Sequence, residues 1–128
     1  MISRIFLTIN ALAIGSIGLF YLIDPNLLLA RYGLETGSVG MDNMLRSTYG
    51  GLFLVSAAIF ALGVFSAHYR RDVLAFVAIF MFGSALGRVV SIISVGEPPA
   101  AIMPLLYFEI IVTIIALILC FRTVAPKT

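Results

Sequence analysis

The sequence predicts an all-α integral membrane protein, a four-helix transmembrane bundle forming one domain over residues 1–128. Three observations predict it. Four runs, at about residues 5–23, 45–66, 73–95 and 101–121, are apolar, poor in charge and long enough to cross roughly 30 Å of hydrocarbon as helices. The chain is 62% hydrophobic and 11% charged, with a mean hydropathy of +1.15, whereas soluble domains are about 45–50% apolar and about 25% charged. A soluble fold of this length leaves too much surface wet to hide so many apolar side chains. The runs are also separated by short segments that gather helix breakers and charge.

Ile5 to Ile23 carries no charge. A signal peptide is the competing reading, but the run is longer than a signal's apolar core and ends in Tyr-Leu-Ile-Asp-Pro without a small-residue cleavage site, so it reads as a retained first span. Ala11, Gly15 and Gly18 place small residues on one side, where another helix can approach. Asn10, the only amide in the span, is expected to hydrogen-bond a neighbouring helix. Asp24-Pro25 ends the helix, because proline disfavours helical geometry in the residue before it. Pro25 to Tyr32 reads as a short interfacial helix with Leu27, Leu28 and Ala30 on its apolar face, stopped by Gly33. Glu35 to Gly40 is a polar loop, and Asp42-Asn43 looks like the cap of the next helix.

The second span holds Arg46 in its first turns, with Tyr49 and Gly50 one turn on. Ser47/Gly51 and Ala57/Ala61 are small pairs four apart, each able to form a helix contact. The segment His68 to Asp72 is a hydrophilic turn. In the third span Gly83 and Gly87 form a G-x-x-x-G pair, while Ser84, Arg88 and Ser91 share one helical face. Gly96-Glu97-Pro98-Pro99 is a rigid turn. The fourth span accepts Pro104 in its first turn and carries a narrow stripe of Glu109, Thr113, Ala116 and Cys120. Residues 122–128 form a polar tail. An acid followed by proline closes both the first and third spans, a faint echo that fits two hairpins in parallel repeat.

Basic residues of short loops mark the cytoplasmic side. Arg4, then Arg70 and Arg71, then Arg122 and Lys127 fall in the three regions that share one side of a four-span chain, so both termini are expected to be cytoplasmic. At 1.5 Å per residue, Arg88 lies roughly 10 Å from the outer end of its helix and Glu109 roughly 12 Å from the outer start of its own. Two opposite charges are thus level on helices joined by a short turn, with Arg46, Tyr49, Asp42 and Glu97 nearer the same surface.

A charge at membrane depth costs roughly 2.5–3.5 kcal/mol on insertion scales, so Arg88 needs a reason to be there. Arg46, Tyr49, Ser84, Arg88, Ser91 and Glu109 form the candidate polar cluster. Gly15, Gly51, Gly83 and Gly87 are the candidate helix-packing positions. The cluster is open to three readings: a structural ion pair that fixes helix register, a pocket in which Arg46 and Arg88 hold an anionic or carbonyl-bearing head group, or a proton or ion pathway. No ionisable residue continues the last route through the inner half of the bundle.

Other function classes find little support. The net charge of +2 is small and scattered, which does not suit nucleic acid. One cysteine, Cys120, excludes an intrachain disulfide, and the single histidine, His68, stands in a polar turn away from the acids, so no metal site, cofactor site or Ser–His–Asp set is legible.

The order of motifs resembles a known family. Pro25 follows the first span, Arg46-Ser-Thr-Tyr49-Gly50-Gly51 opens the second, and Gly87-Arg88 with Ser91 lies late in the third. Gly96-Glu97-Pro98 and then Glu109 follow. This is similar to the bacterial membrane proteins grouped as domain of unknown function 4345, which resemble the DoxX-like four-helix group. The family pattern leads one to expect an aspartate before the glycine and proline of the third turn, where this chain runs Gly96, Glu97, Pro98. The resemblance implies four helices in the bacterial inner membrane and marks Arg46, Arg88 and Glu109, and it implies no activity. Two function classes therefore stand. One is a non-enzymatic accessory or interaction subunit, as a homo-oligomer or in a larger membrane complex. The other is a binding protein for a small amphipathic or lipid-like molecule. The small-residue faces incline the reading to the first.

Overall fold

In the computed structural model, which describes residues 1–123, the chain is helical throughout its ordered elements, with no strand among the described residues. The elements are α1 (Ile2–Ile23), α2 (Asn26–Leu29) with a 3-10 turn at Ala30–Tyr32, α3 (Val39–Leu45), a π-helical stretch (Arg46–Leu52), α4 (Phe53–Phe65), α5 (Arg70–Val95) and α6 (Met103–Arg122). The stretch from Val39 to Phe65 runs as one 27-residue helix. With α1, α5 and α6 it makes four helices of 20 to 27 residues, or roughly 30 to 40 Å at 1.5 Å per residue, long enough to cross a bilayer. Contacts divide the chain into two compact units, Met1–Phe65 and a second beginning at Ser66. Each is a helical hairpin.

In the first hairpin α1 packs on α4 and on the π-helical stretch. Leu7, Asn10, Ile14 and Gly18 are buried at the three- and four-residue spacing of one helix face. Ala57 and Phe60 are buried from α4, and Phe60 is fully enclosed. The helices meet through glycines. A Cβ on Gly15 would sit 3.3 Å from Ala57 Cβ, while one on Gly18 would sit 3.0 Å from both Gly50 O and Leu54 N. One on Gly50 would come 2.9 Å from Leu22 Cδ2, so the backbones approach to the limit that missing side chains allow. The π stretch coincides with this approach. Its i→i+5 geometry is rare and mostly found as short insertions in α-helices, and the Gly50-Gly51 pair lowers the resistance to it.

Three local expectations change. The second long helix begins at Val39, not near Leu45, and its cap is Ser38, whose Oγ accepts the Met41 N–H at 3.1 Å. Asp42 is not the cap: it lies inside the first turn, one helical turn before Arg46. Asn10 does not bond across helices. Its Nδ2 donates to Phe6 O of its own helix at 2.8 Å, and its buried Oδ1 has no partner among the described residues.

The second hairpin pairs α5 with α6. Val73, Leu74, Val77, Ala78, Met81 and Ala85 are buried from α5, and Leu106, Val112, Ala116 and Leu119 are buried from α6. Gly96 ends α5 at φ +107°, a conformation that L side chains rarely adopt, and Pro104 sits at the start of α6 where no N–H is needed. Tyr69 caps α5, so Arg70, Arg71 and Asp72 belong to its first turn and the hydrophilic break is shorter than residues 68–72. Cys120 Sγ lies 3.6 Å from Arg71 O, tying the far end of α6 to the start of α5.

Candidate functional site: two arginines, one in each hairpin

The six cluster residues divide between the hairpins, Arg46 and Tyr49 in the first and Ser84, Arg88, Ser91 and Glu109 in the second.

Arg46 serves the end of α1. There the helix runs out of donors: Asp24 N–H closes the last bond, to Phe20 O at 2.9 Å, and Pro25 has no N–H. Asn26 N–H turns aside to Asp24 Oδ1 at 3.0 Å, and Leu27 N–H goes to Asp24 O at 3.2 Å. The carbonyls of Leu22 and Ile23 are thereby left over, as the last carbonyls of any helix are. Arg46 Nη1 donates to both, with Ile23 O at 2.9 Å. Its Nε donates to Asp42 Oδ2 at 2.6 Å, and Nη2 reaches Asp42 Oδ1 at 3.5 Å. A cation at a helix C-terminus also meets the negative end of the helix dipole. Tyr49 continues the same surface by ring contacts, 5.2 Å to Tyr21 and 5.3 Å to Phe53 between centroids.

Arg88 is placed differently. It stands mid-helix on α5, where the backbone carbonyls are already bonded, and it reaches across to α6. Its Nε lies 2.9 Å from both Glu109 Oε1 and Oε2. Ser84 Oγ, one turn earlier, donates to Glu109 Oε1 at 2.7 Å. The carboxylate is nearly enclosed, with its side chain 9% exposed, while the Arg88 side chain is 29% exposed. Thr113 Oγ1 donates to Glu109 O at 2.7 Å within α6. A guanidinium has five N–H donors. Here Nε is engaged, while neither Nη1 nor Nη2 has a hydrogen-bond partner among the described residues. Beside Arg88 lies a pocket of about 70 Å³, lined by Arg88, Ser91, Ile92, Pro98, Ile102, Met103 and Leu106. Ser91 is exposed at its rim.

The pairing of Arg88 with Glu109 was readable from their matched depth. The engagement of Arg46 with Leu22 and Ile23 was not. Its only signal is Pro25, which removes the donor that would have continued the helix. Of the packing glycines, Gly15 meets Ala57, whereas a Cβ on Gly51 would meet only Arg46 O, at 3.9 Å. Gly83 and Gly87 have nothing within 4 Å of an added Cβ. The close approach belongs to Gly15 together with Gly18 and Gly50.

Four helices long and apolar enough to span a bilayer, with an arginine–glutamate pair set between two of them, define a multi-pass helical membrane protein. Its residues 2–120 match the family described as Domain of unknown function (DUF4345), and the chain belongs to that family. No curated protein and no solved structure matches it.

Proposed function

We propose that this membrane protein binds a small amphipathic or lipid-like molecule by its head group, with Arg88 as the donor that faces the ligand. The observation that carries this reading is the state of the guanidinium. Glu109, itself held by Ser84, engages the guanidinium through Nε, yet neither Nη group has an acceptor among the described residues, and Arg88 lines a pocket with apolar walls. Four N–H groups at membrane depth need an acceptor, since unpaired polar groups there are costly. Ile92, Ile102, Met103 and Leu106 offer apolar contact to the rest of the molecule, and Ser91 adds a hydroxyl. Arg46 plays no part in this site on our reading: Asp42 and the end of α1 already occupy it.

The test is gentle purification from native membrane followed by mass spectrometry of whatever co-elutes. A lipid or small amphiphile enriched on the wild type and depleted on a folded Arg88→Lys variant is the expected result. Wild type and variant carrying the same lipids would refute it.

A second reading, an interaction subunit in a homo-oligomer or larger complex, is favoured by Gly83 and Gly87. They form a small-residue pair on an exposed stretch of α5 where an added Cβ meets nothing. A stoichiometric protein in the same purification would favour it.

We place the protein in the bacterial inner membrane with both termini cytoplasmic, on the strength of Arg4, Arg70, Arg71 and Arg122. Lys127, which shares that bias, lies outside the described residues. A reporter fused after residue 128 and another inserted at Gly37 should report opposite sides of the membrane. Finding both on one side would overturn the four-span count.

A further inference from the structure

We infer that the Arg88 site takes an uncharged carbonyl group and not an anion, an inference that rests on the reading of Arg88 as a ligand-facing donor. Arg88 already has its counter-ion. Glu109 receives Nε on both oxygens, at 2.9 Å each, and its third hydrogen bond comes from Ser84 at 2.7 Å. The pair is electrically complete while the hydrogen-bonding capacity of the guanidinium is not. An anionic head on the Nη side would set a second negative charge across the guanidinium from Glu109 and leave the cluster negative at membrane depth. It would also shed its own hydration to get there. A carbonyl oxygen accepts from both Nη groups through its two lone pairs and brings no net charge.

The lining of the pocket suits such an ester, amide or ring carbonyl. Five of the seven lining residues are apolar, and Ser91, with no hydrogen bond among the described residues, is a further donor for the same oxygen.

Such a carbonyl has two sources, the ester groups of the bilayer itself and a free amphiphile, and one experiment separates them. The full chain is placed in nanodiscs of diether lipid, which has no carbonyl groups. Three probes with the same alkyl chain are titrated: methyl dodecanoate labelled with ¹³C at the carbonyl, ionised dodecanoate, and dodecyl methyl ether. We expect the ester to bind at least tenfold more tightly than either of the others. Its carbonyl stretch should move to lower frequency on binding. Both effects should be lost in R88M/E109Q, which removes the two charges together, and weakened in Arg88→Lys, which keeps the ion pair but not the planar fork. Repeating the titration in ester-lipid nanodiscs assigns the source. Competition from the bilayer identifies lipid esters as the occupant, and its absence identifies a free amphiphile. Tighter Arg88-dependent binding of dodecanoate, or equal binding of the ether, overturns the carbonyl inference while leaving a head-group site in place. Binding that ignores Arg88 for all three probes overturns both.

Discussion

In the first hairpin two arginines finish helices, whereas in the second an arginine stands in the middle of one. Arg4 Nε donates to Val64 O at 3.1 Å near the end of α4, and Arg46 donates to Leu22 and Ile23 at the end of α1. Both find carbonyls that the helix leaves over, so the backbone itself supplies acceptors and the favourable dipole. Arg88 sits where α5 has no carbonyl to spare, and a carboxylate on α6 has to be imported to hold it. The packing differs in parallel. The first hairpin closes tightly at Gly15, Gly18 and Gly50, with Gly18 against the backbone of Gly50 and Leu54, while Gly83 and Gly87 of the second stand clear. The contrast teaches that a basic residue in a membrane helix is cheaply accommodated at a helix end. In mid-span it requires a dedicated partner and still leaves donors over.

The largest test of this contrast is a charge swap in the second hairpin. Arg88→Glu and Glu109→Arg should each destabilise by about 3 kcal/mol, the low end for breaking a buried pair because Arg88 is partly exposed. Thermal unfolding in detergent reads the loss, and the double swap should recover part of it. A double variant as poor as the summed singles would mean the two residues are uncoupled. Next comes the glycine contrast. Gly18→Ala forces a Cβ to 3.0 Å from backbone atoms of Gly50 and Leu54 and should cost about 1–3 kcal/mol. Gly83→Ala meets open space and should stay within about 0.5 kcal/mol of wild type. Equal losses would erase the difference between the hairpins. Arg46→Met should act locally, speeding hydrogen exchange over residues 20–29 with less change elsewhere, and Arg46→Lys should restore part of the protection. Uniform exchange across α1 would show that Arg46 does more than finish that helix. The smallest expected effect on folding is that of Ser91→Ala, within about 0.5 kcal/mol, since Ser91 has no hydrogen-bond partner among the described residues. It should nonetheless reduce retention of the methyl dodecanoate probe.

The long helices were legible because they are continuous apolar runs broken by Asp24-Pro25, Ser66-to-Tyr69 and Gly96-Glu97-Pro98. Arg88 and Glu109 were legible because charge is rare enough in such runs that two opposite signs at one depth stand out. The start of the second long helix was not, since Ser38 and Asp42 are both good caps and sequence alone does not choose between them. Ser38 wins in the structure because Asp42 is then free, four residues before Arg46, to hold the guanidinium. The π stretch also escaped reading: it preserves the helical look of the sequence, and only Gly50-Gly51 hints that the ladder changes there. The donors left over on Arg88 are a property of geometry and could not be counted from residue types.

The Arg4–Val64 bond joins residues 60 apart in sequence, and its two ends nearly bracket the first hairpin. It forms only once the second long helix has been made almost to its last residue. It does not wait for any part of α5 or α6, because every acceptor used by Arg4 and Arg46 lies before Ser66. During synthesis the chain therefore reaches a natural halfway point at Phe65. There the acceptors of Arg4 and Arg46 have all been made, while Arg88 must await a glutamate still 21 residues downstream of it.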